Sequence, residues 1–359
     1  MGDVFKKIYD WVDERIDLKG LEAKMLREPM PGGSRYAYAF GSALLFVFIM
    51  QATTGIFLMF YYAPTADHAY ESTKFILEEL SFGWLILGIH NWGSSVMVVG
   101  VLFHMLQVFI WGAYKKPREM VWMAGVVLML IVLGFGFTGY LLPWDQRAFW
   151  ATTVGVEIMD KAPIVGDFMA RFLRGGPVPG ALTLNRFFVI HVMILPAALV
   201  GVFALHLFFF RKAGPAGPFS GTKQELEKKM EYFFPRQVYK DIVVMGIVFL
   251  IITGLAVSFP VELLDEASPE PTDYNPEPEW YFLFLFQLLR FPMFAGEFGE
   301  FVGGILLPGL IVAFLISLPF IFRNPERHPK KRLVGMATLV ILLTGIVVLT
   351  LLAIASRSE

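Results

Sequence analysis

Residues 84–113 read WLILGIHNWGSSVMVVGVLFHMLQVFIWGA and contain no Asp, Glu, Lys or Arg. The run is longer than the ~20 apolar residues that a helix needs to cross a bilayer, so it predicts a transmembrane helix. Its two histidines, His90 and His104, are 14 residues apart. At 3.6 residues per turn, both lie near one face of that helix, roughly 21 Å apart along its axis.

Similar apolar runs recur along the chain and predict seven membrane spans. The composition agrees, because 56% hydrophobic and 17% charged residues over 359 positions, with a mean hydropathy of +0.60, exclude a water-soluble enzyme of this length. The predicted fold class is therefore an all-α polytopic membrane protein. The predicted spans are 37–62, 84–113, 121–142, 187–210, 241–259, 301–322 and 333–355.

The chain has no cysteine. This excludes thiolate-bound iron–sulfur clusters, thiol catalysis, disulfides and thioether-anchored haem within this polypeptide. Any metal must therefore be bound by His, Met or carboxylate side chains.

The chain divides into four segments. Residues 1–36 are charged and amphipathic, and they predict a helix at the membrane interface. Residues 37–210 hold the first four spans, and residues 241–359 hold the last three. The stretch 211–240, rich in Gly, Pro and charge, predicts a cytoplasmic linker between these two parts.

Positive charge indicates the orientation, because loops rich in Lys and Arg stay in the cytoplasm. Of the 30 Lys and Arg residues, 22 fall on the side of the N terminus and 8, among them Arg357, fall on the opposite side. The bias predicts a cytoplasmic N terminus. It places two mixed segments, 143–186 and 260–300, outside.

Four of the six histidines lie in predicted spans, because His191 and His206 form a second pair, 15 residues apart, in the fourth span. The second and fourth helices run in the same direction, so His90 should face His191 near the outer surface and His104 should face His206 near the inner one. Histidines in spans can also line a pore, relay protons or bond to neighbouring helices. The doubly matched spacing favours two haems with imidazole on both sides of the iron, which pass electrons and bind no substrate.

Four glycines repeat this interval. Gly41 and Gly55 in the first span, and Gly125 and Gly139 in the third, are each 14 residues apart. A missing side chain lets a bulky ring approach the backbone, although small residues also support plain helix packing in membranes. The shared period favours a role beside the haems.

Three further motifs occur in order with the histidine pattern: KKPRE (115–119), GYLLPWDQ (139–146) and PEWY (278–281). Together they resemble the cytochrome b of respiratory and photosynthetic bc/bf complexes, over about residues 8–355. The interval of 15 between the second pair of histidines and the end after seven spans resemble the bf branch. In that branch the four-helix and three-helix parts are usually separate chains, whereas here they are fused.

The chain departs from the family in two places. The bf branch has a cysteine in the first helix that holds an extra haem, and Ala39 stands there, so no covalently attached third haem is expected. The arginine that the family places just before the first ligand is absent at 86–88. The resemblance assigns Arg186 and Arg211 to the haem propionates, although each could equally be a membrane-edge arginine.

The resemblance implies quinol oxidation on the outer side, with one electron passing to the outer haem and one to the iron–sulfur cluster of a separate Rieske subunit. That subunit would dock on 143–186 and 260–300. Glu279 is the expected proton acceptor, because partial desolvation beside an aromatic run should raise its pKa. Other expected residues of this pocket are Tyr140, Trp144 and Tyr281, with Asp145 as a further proton-handling candidate.

The predicted function is that of a di-haem cytochrome b in the cell inner membrane that passes electrons inward to a second quinone and builds a protonmotive force. The implied partners are a c-type cytochrome, quinone, membrane lipid and a second copy of the complex; no nucleic acid is expected. Menaquinone and ubiquinone both remain open, and so do Lys212, Asp241 and Arg35 as inner-site residues. Two alternatives remain: a di-haem anchor of a dehydrogenase, which should lack PEWY and GYLLPWDQ, and a proton-coupled transporter, which should bind no chromophore.

Overall fold

The computed structural model describes residues 2–270 and 277–356. Arg357 and positions 271–276 of the predicted outer segment 260–300 lie outside the described residues. Within the described part of the chain, seven helices are long and apolar enough to cross a membrane, which confirms the all-α membrane fold. These spans, called first to seventh, are Tyr36–Met59, Gly83–Ile110, Glu119–Tyr140, Ala181–Ala213, Phe233–Ser258, Gly296–Ile321 and Leu333–Ala355.

The fourth span is longer than its hydropathy predicts, because it begins at Ala181 rather than at 187. Its first turns carry polar residues such as Thr183 and Arg186, which an apolar window leaves out. The span also contains a π-helical turn, Ile190–Ile194, directly before Pro196. Such a turn re-satisfies the backbone groups that a proline frees within a membrane helix.

The fifth span also begins early, at Phe233 rather than at 241. Its polar first turns are packed inside the protein, where Gln237 and Asp241 are buried. Gln237 Nε2 donates to Asp241 Oδ1 at 2.7 Å, and Ser42 Oγ of the first span donates to Asp241 Oδ2 at 2.8 Å. These bonds join the fifth span to the first.

The spans pack in pairs, the first against the second and the third against the fourth, and the fifth lies against the first two. In lipid such packing is driven by van der Waals contact and interhelical hydrogen bonds, since lipid tails are as apolar as leucine. One core cluster draws on each of the first five spans, through Val47, Met97, Val132, Leu199 and Ile252.

Shorter elements lie between and before the spans. The predicted N-terminal helix is present as Gly2–Ile16, and its place at a membrane interface stays a prediction. The strand Pro29–Met30 pairs antiparallel with Glu231–Tyr232. The remaining short helices are Leu18–Leu26, Ala69–Glu78, Gln146–Asp160, Gly166–Arg174, Lys223–Lys228 and Leu283–Leu289.

The linker between the two parts is held by one arginine from each part. Arg118, at the start of the third span, donates from Nε to the Gly214 carbonyl at 2.9 Å. Arg327, between the sixth and seventh spans, donates from Nη1 and Nη2 to the carbonyls of Ala216 and Gly217 at 2.6 and 2.7 Å. Side chains from both parts therefore bind the same short stretch of backbone, residues 214–217.

Candidate functional site

The structure brings His90 and His191 together, as their spacing predicts. Their ring centroids are 6.3 Å apart, with the ring planes at 69°. An imidazole nitrogen binds a transition-metal ion at about 2 Å, so two rings on opposite sides of one ion have centres about 6 Å apart. The observed separation fits one metal ion between the rings.

His104 and His206 form the second pair, one from the second span and one from the fourth. They are close enough to interact electrostatically. The Nδ1 atoms of both rings are buried and have no hydrogen-bond partner among the described residues. The four histidines thus stand as two pairs along the same two helices.

Each of the four glycines faces one of these imidazoles. A β-carbon at Gly139 would lie 2.7 Å from Cε1 of His191. For the other three, the distance from the β-carbon position to the histidine Cε1 is 3.3 Å for Gly55 and His90, 3.5 Å for Gly125 and His206, and 3.9 Å for Gly41 and His104. The missing side chains therefore let each imidazole lie close to the backbone of the first or third span. The role of these glycines beside a haem stays a prediction.

Two threonines fix the orientation of the first pair. Thr54 Oγ1 lies 2.9 Å from His90 Nδ1, and Thr138 Oγ1 lies 3.0 Å from His191 Nδ1. Each hydroxyl also donates to the carbonyl four residues earlier in its helix, at 2.8 Å in both cases. Because that donation uses the only hydroxyl proton, Oγ1 accepts from the imidazole Nδ1–H, and Nε2 keeps its lone pair for a metal.

The PEWY segment lies against the second and third spans. Trp280 Nε1 donates to Ser95 Oγ at 3.2 Å. Tyr281 is buried, and its hydroxyl reaches the backbone of Gly136, where a β-carbon would lie only 2.3 Å away. Tyr281 can therefore occupy this position only because residue 136 has no side chain.

Glu279 lies in the same neighbourhood. Burial raises the pKa of its carboxyl above the ordinary 4.5, while the Arg147 guanidinium and the backbone N–H of Trp280 oppose that rise. The pKa of Tyr281 is also raised, chiefly by burial and secondly by the Glu279 charge. Tyr140 Oη donates to the neighbouring Glu277 carbonyl at 3.3 Å. Glu279, Tyr281 and Tyr140 thus lie on neighbouring parts of the structure, whereas Trp144 packs in a core cluster with Phe149. Their roles toward a quinol stay predictions.

Asp145 has two structural partners. Oδ1 accepts from the backbone N–H of Ala148 at 2.8 Å and caps the helix Gln146–Asp160, and Oδ2 accepts from Leu264 N at 3.2 Å. Beside it, Ala267 N donates to the Trp144 carbonyl at 3.0 Å. Asp145 therefore joins the segments 143–186 and 260–300, and its proton-handling role stays a prediction.

The two arginines assigned to haem propionates have protein partners in the structure. Arg186 donates to the Phe172 carbonyl and its guanidinium lies 5.1 Å from that ring. Arg211 forms an ion pair with Glu28 at 2.9 Å. Their roles toward a haem stay predictions.

Two of the three candidates for the inner site, Asp241 and Arg35, are bonded to the same residue, Gln237. Asp241 is buried against Gln237 and Ser42, as described above. Arg35 approaches that group through its backbone, since its N–H donates to Gln237 Oε1 at 2.9 Å. Lys212 is exposed.

A family model described as Cytochrome b/b6/petB matches residues 25–214, more than half of the chain. The chain belongs to the cytochrome b family. A second model, described as Cytochrome b(C-terminal)/b6/petD, matches residues 266–359. This cytochrome b therefore carries both parts fused in one chain, as the sequence predicts, and family membership implies b-type haems.

Curated relatives and a solved structure agree. The chain is 42% identical over 295 residues to the cytochrome bc complex cytochrome b subunit of Chlorobaculum thiosulfatiphilum, covering 82% of this chain and 68% of that one. It is 43% identical over 223 residues to the menaquinol:cytochrome c reductase cytochrome b subunit of Geobacillus thermodenitrificans, covering 60% of this chain and 100% of that one. A solved structure titled Hyperthermophilic respiratory Complex III matches with a TM-score of 0.83 and 28% identity, over 96% of this chain and 90% of that chain. The prediction of a bc-type cytochrome b is confirmed.

Sequence reasoning missed several residues of the site, namely Thr54, Thr138, Gly136 and Arg147. The threonines have one signal in the sequence, because Thr precedes both Gly55 and Gly139, although the Thr-Gly dipeptide also occurs at 253–254 and 344–345. Gly136 and Arg147 carry no comparable signal, since their roles depend on which side chains of the distant PEWY segment lie against them.

Proposed function

We propose that this cytochrome b is the quinol-oxidising subunit of a quinol:cytochrome c reductase. It would lie in the cytoplasmic membrane with its N terminus in the cytoplasm, and couple electron transfer to proton translocation. The main support is the pairing of His90 with His191, 6.3 Å apart. His191 faces Gly139 of the third span, one helical turn from Gly136, against which Tyr281 packs. The named function of the Geobacillus relative makes menaquinol the candidate quinol.

The four histidines would hold two haems b, the outer one between His90 and His191 and the inner one between His104 and His206. Tautomers with Nδ1 protonated leave Nε2 free to bind iron. The glycines at 41, 55, 125 and 139 leave space for the macrocycles beside the imidazoles. When bound, the haems supply one-electron transfer between the two sides of the membrane.

Glu279 would accept one proton of the quinol. Oxidation of a quinol releases two electrons and two protons, so a base must stand beside the bound hydroxyl. A carboxylate whose pKa is raised by burial is better matched to this task near neutral pH than one in water. Tyr281 and Tyr140 would shape the pocket and exclude water around that group.

A Rieske subunit would dock on the outer surface and take the second electron, which it would pass to a c-type cytochrome. The helix Gly166–Arg174 and the turn before it expose Ile164, Phe168 and Phe172, and the other outer segment exposes Met293 and Phe298. Lys161 and Glu300 join the two segments through an ion pair of 2.9 Å. Contiguous exposed apolar side chains mark interaction surfaces. A dimer of the complex is the expected assembly.

On the inner side, Asp241 is the candidate to deliver a proton to a second quinone. It is a buried carboxylate near the cytoplasmic end of the fifth span, bonded to Ser42 and Gln237. Proton uptake there and proton release near Glu279 would occur on opposite sides of the membrane.

A pyridine haemochrome assay with a redox titration on the purified complex tests this function. The wild type should contain two haems b per cytochrome b chain. His90→Ala should abolish one redox component and His206→Ala the other, while His68→Ala, an exposed loop histidine, should change neither. A wild-type complex with one haem or none would contradict the proposal.

A further inference from the structure

The two histidine pairs differ in one respect that their spacing does not reveal. The residue just before each glycine of the outer pair is a threonine whose hydroxyl bonds the ligand, Thr54 to His90 at 2.9 Å and Thr138 to His191 at 3.0 Å. At the inner pair the corresponding positions, just before Gly41 and Gly125, are Phe40 and Ala124. Neither of these side chains can accept a hydrogen bond.

Backbone carbonyls do not create this difference. His90, His191 and His206 each face the carbonyl four residues before the adjacent glycine, that of Gln51, Phe135 and Val121 respectively. Such a carbonyl is thus common to both pairs. The threonine hydroxyl is found at the outer pair, and the inner Nδ1 atoms meet no geometrically satisfactory acceptor among the described residues.

Both threonines are fixed in place. Thr54 and Thr138 are buried, and each donates its hydroxyl proton to a helix carbonyl at 2.8 Å. That donation aims a lone pair of Oγ1 at the imidazole and polarises the oxygen, which makes it a better acceptor. An acceptor at Nδ1–H raises the basicity of the ligand at Nε2.

A more basic axial ligand stabilises the oxidised iron, and hydrogen bonding around the ligands is one of the ways a protein sets a haem potential. We propose that Thr54 and Thr138 lower the reduction potential of the outer haem relative to the inner one, so that electrons run downhill from the quinol site inward. The two threonines act as positioning residues through His90 and His191. This inference rests on the proposed function, because it takes the two pairs to be haem ligands.

The test is a redox titration, monitored by absorbance, of the purified complex carrying Thr54→Val or Thr138→Val. The isosteric valine removes the acceptor and keeps the volume. We expect each substitution to raise the ratio of reduced to oxidised outer haem about threefold at a fixed ambient potential, which is roughly 28 mV for a one-electron couple. The inner haem should not move. The component lost in His90→Ala identifies the outer haem.

Four further variants separate this role from a structural one. Thr54→Ser and Thr138→Ser keep the hydroxyl and should restore the wild-type potential. Thr53→Val is the matched control, since Thr53 makes the same bond to the carbonyl four residues before it, at 2.8 Å, but is exposed on the other side of the helix. Ala124→Thr supplies the missing hydroxyl beside His206 and should lower the potential of the inner haem.

The outcomes distinguish the two proposals. Two haems with unchanged potentials in both valine variants would overturn the role of the threonines and leave the proposed function intact. If a valine variant loses its haem, the serine variants and Ala124→Thr decide, and an unmoved inner potential in Ala124→Thr overturns the inference. Fewer than two haems in the wild type would instead refute the proposed function.

Discussion

The hydroxyl of Tyr281 lies against Gly136, one helical turn from the point where Gly139 faces His191. Gly136 and Gly139 thus let two different rings, those of Tyr281 and His191, lie close to the backbone of the third span. Tyr281 belongs to the segment that carries Glu279, and His191 is a candidate haem ligand. Residues 136–139 of the third span therefore lie between the proposed site of quinol oxidation and His191, the proposed ligand of the haem that accepts the electron.

Gly136→Ala should impair quinol oxidation while both haems remain bound. The added β-carbon would lie 2.3 Å from Oη and 3.0 Å from Cζ of Tyr281, so the buried tyrosine must move away from its position. Overpacking of this kind costs about 1–3 kcal/mol. Steady-state quinol oxidation and a haem assay on the same preparation measure the two effects.

Gly134→Ala is the matched control, because its β-carbon would meet only Leu195, at an ordinary 3.6 Å. Tyr281→Phe removes the nearest clashing atom and should partly restore activity to Gly136→Ala. Additive losses in the double variant would contradict a contact between these two residues.

The effect of each Gly→Ala substitution on haem occupancy should depend on the distance between the added β-carbon and the facing histidine. Alanine at 139 would lie 2.7 Å from its histidine, whereas alanine at 41 would lie 3.9 Å from its own. We expect Gly139→Ala to lose or weaken one haem and Gly41→Ala to retain both, with Gly55→Ala and Gly125→Ala between them. Pyridine haemochrome spectra of the four variants test this order, and equal occupancy in all four would speak against it.

Quinol oxidation should show an acid limb that is due to Glu279. The carboxylate accepts a proton only when it is ionised, so the rate should fall as the pH drops through its pKa, which burial raises above 4.5. Glu279→Gln should remove this limb and lower the rate about 100-fold, the smaller end of the usual contribution of a general base. Glu279→Asp should keep a limb. A pH–rate profile that is unchanged in Glu279→Gln would exclude this residue as the base.

Arg147 should lower the pH at which the rate of quinol oxidation begins to fall. Its guanidinium favours the ionised form of Glu279, so Arg147→Met should raise the carboxyl pKa and shift the acid limb toward higher pH. Arg147→Lys keeps the charge and should leave the limb near its wild-type position. If both variants shift the profile equally, the effect comes from packing rather than from charge.

Asp145→Ala should destabilise the packing of segment 143–186 against segment 260–300, because it removes a helix cap and the bond to Leu264. Loss of such a cap costs about 0.5–2 kcal/mol. Asp145→Asn keeps one acceptor oxygen and should retain most of the thermal stability and most of the activity. A normal melting temperature with a large loss of quinol oxidation in Asp145→Asn would instead support the proton-handling role.

The pairing of the histidines was predictable from sequence, because it follows from two rigid repeats. Helical geometry alone fixes where residues 14 or 15 apart lie, so His90, His104, His191 and His206 could be grouped without coordinates. Gly139 and its three counterparts follow the same rule. Hydropathy located all seven spans, although it shortened those with polar ends.

What remained out of reach depends on contacts between distant segments. The fifth span begins earlier than its hydropathy indicates because Gln237 and Asp241 are satisfied by each other and by Ser42 across a helix interface. The partner of Gly136 is 145 positions away, and no period connects the two. Propionate roles for Arg186 and Arg211 rest on resemblance, and the structure shows these side chains with protein partners.

The hydrogen bonds that Arg118 and Arg327 donate to the linker backbone bear on how the two parts came to share one polypeptide. Separate family models match residues 25–214 and 266–359, on the two sides of the boundary between the parts, and the Geobacillus relative is matched along its whole length by only 60% of this chain. Noncovalent bonds on both sides of that boundary mean that joining two genes, or separating one, need not disturb the assembled structure. What fusion changes is the supply of the two parts, because a single polypeptide always provides them in equal number.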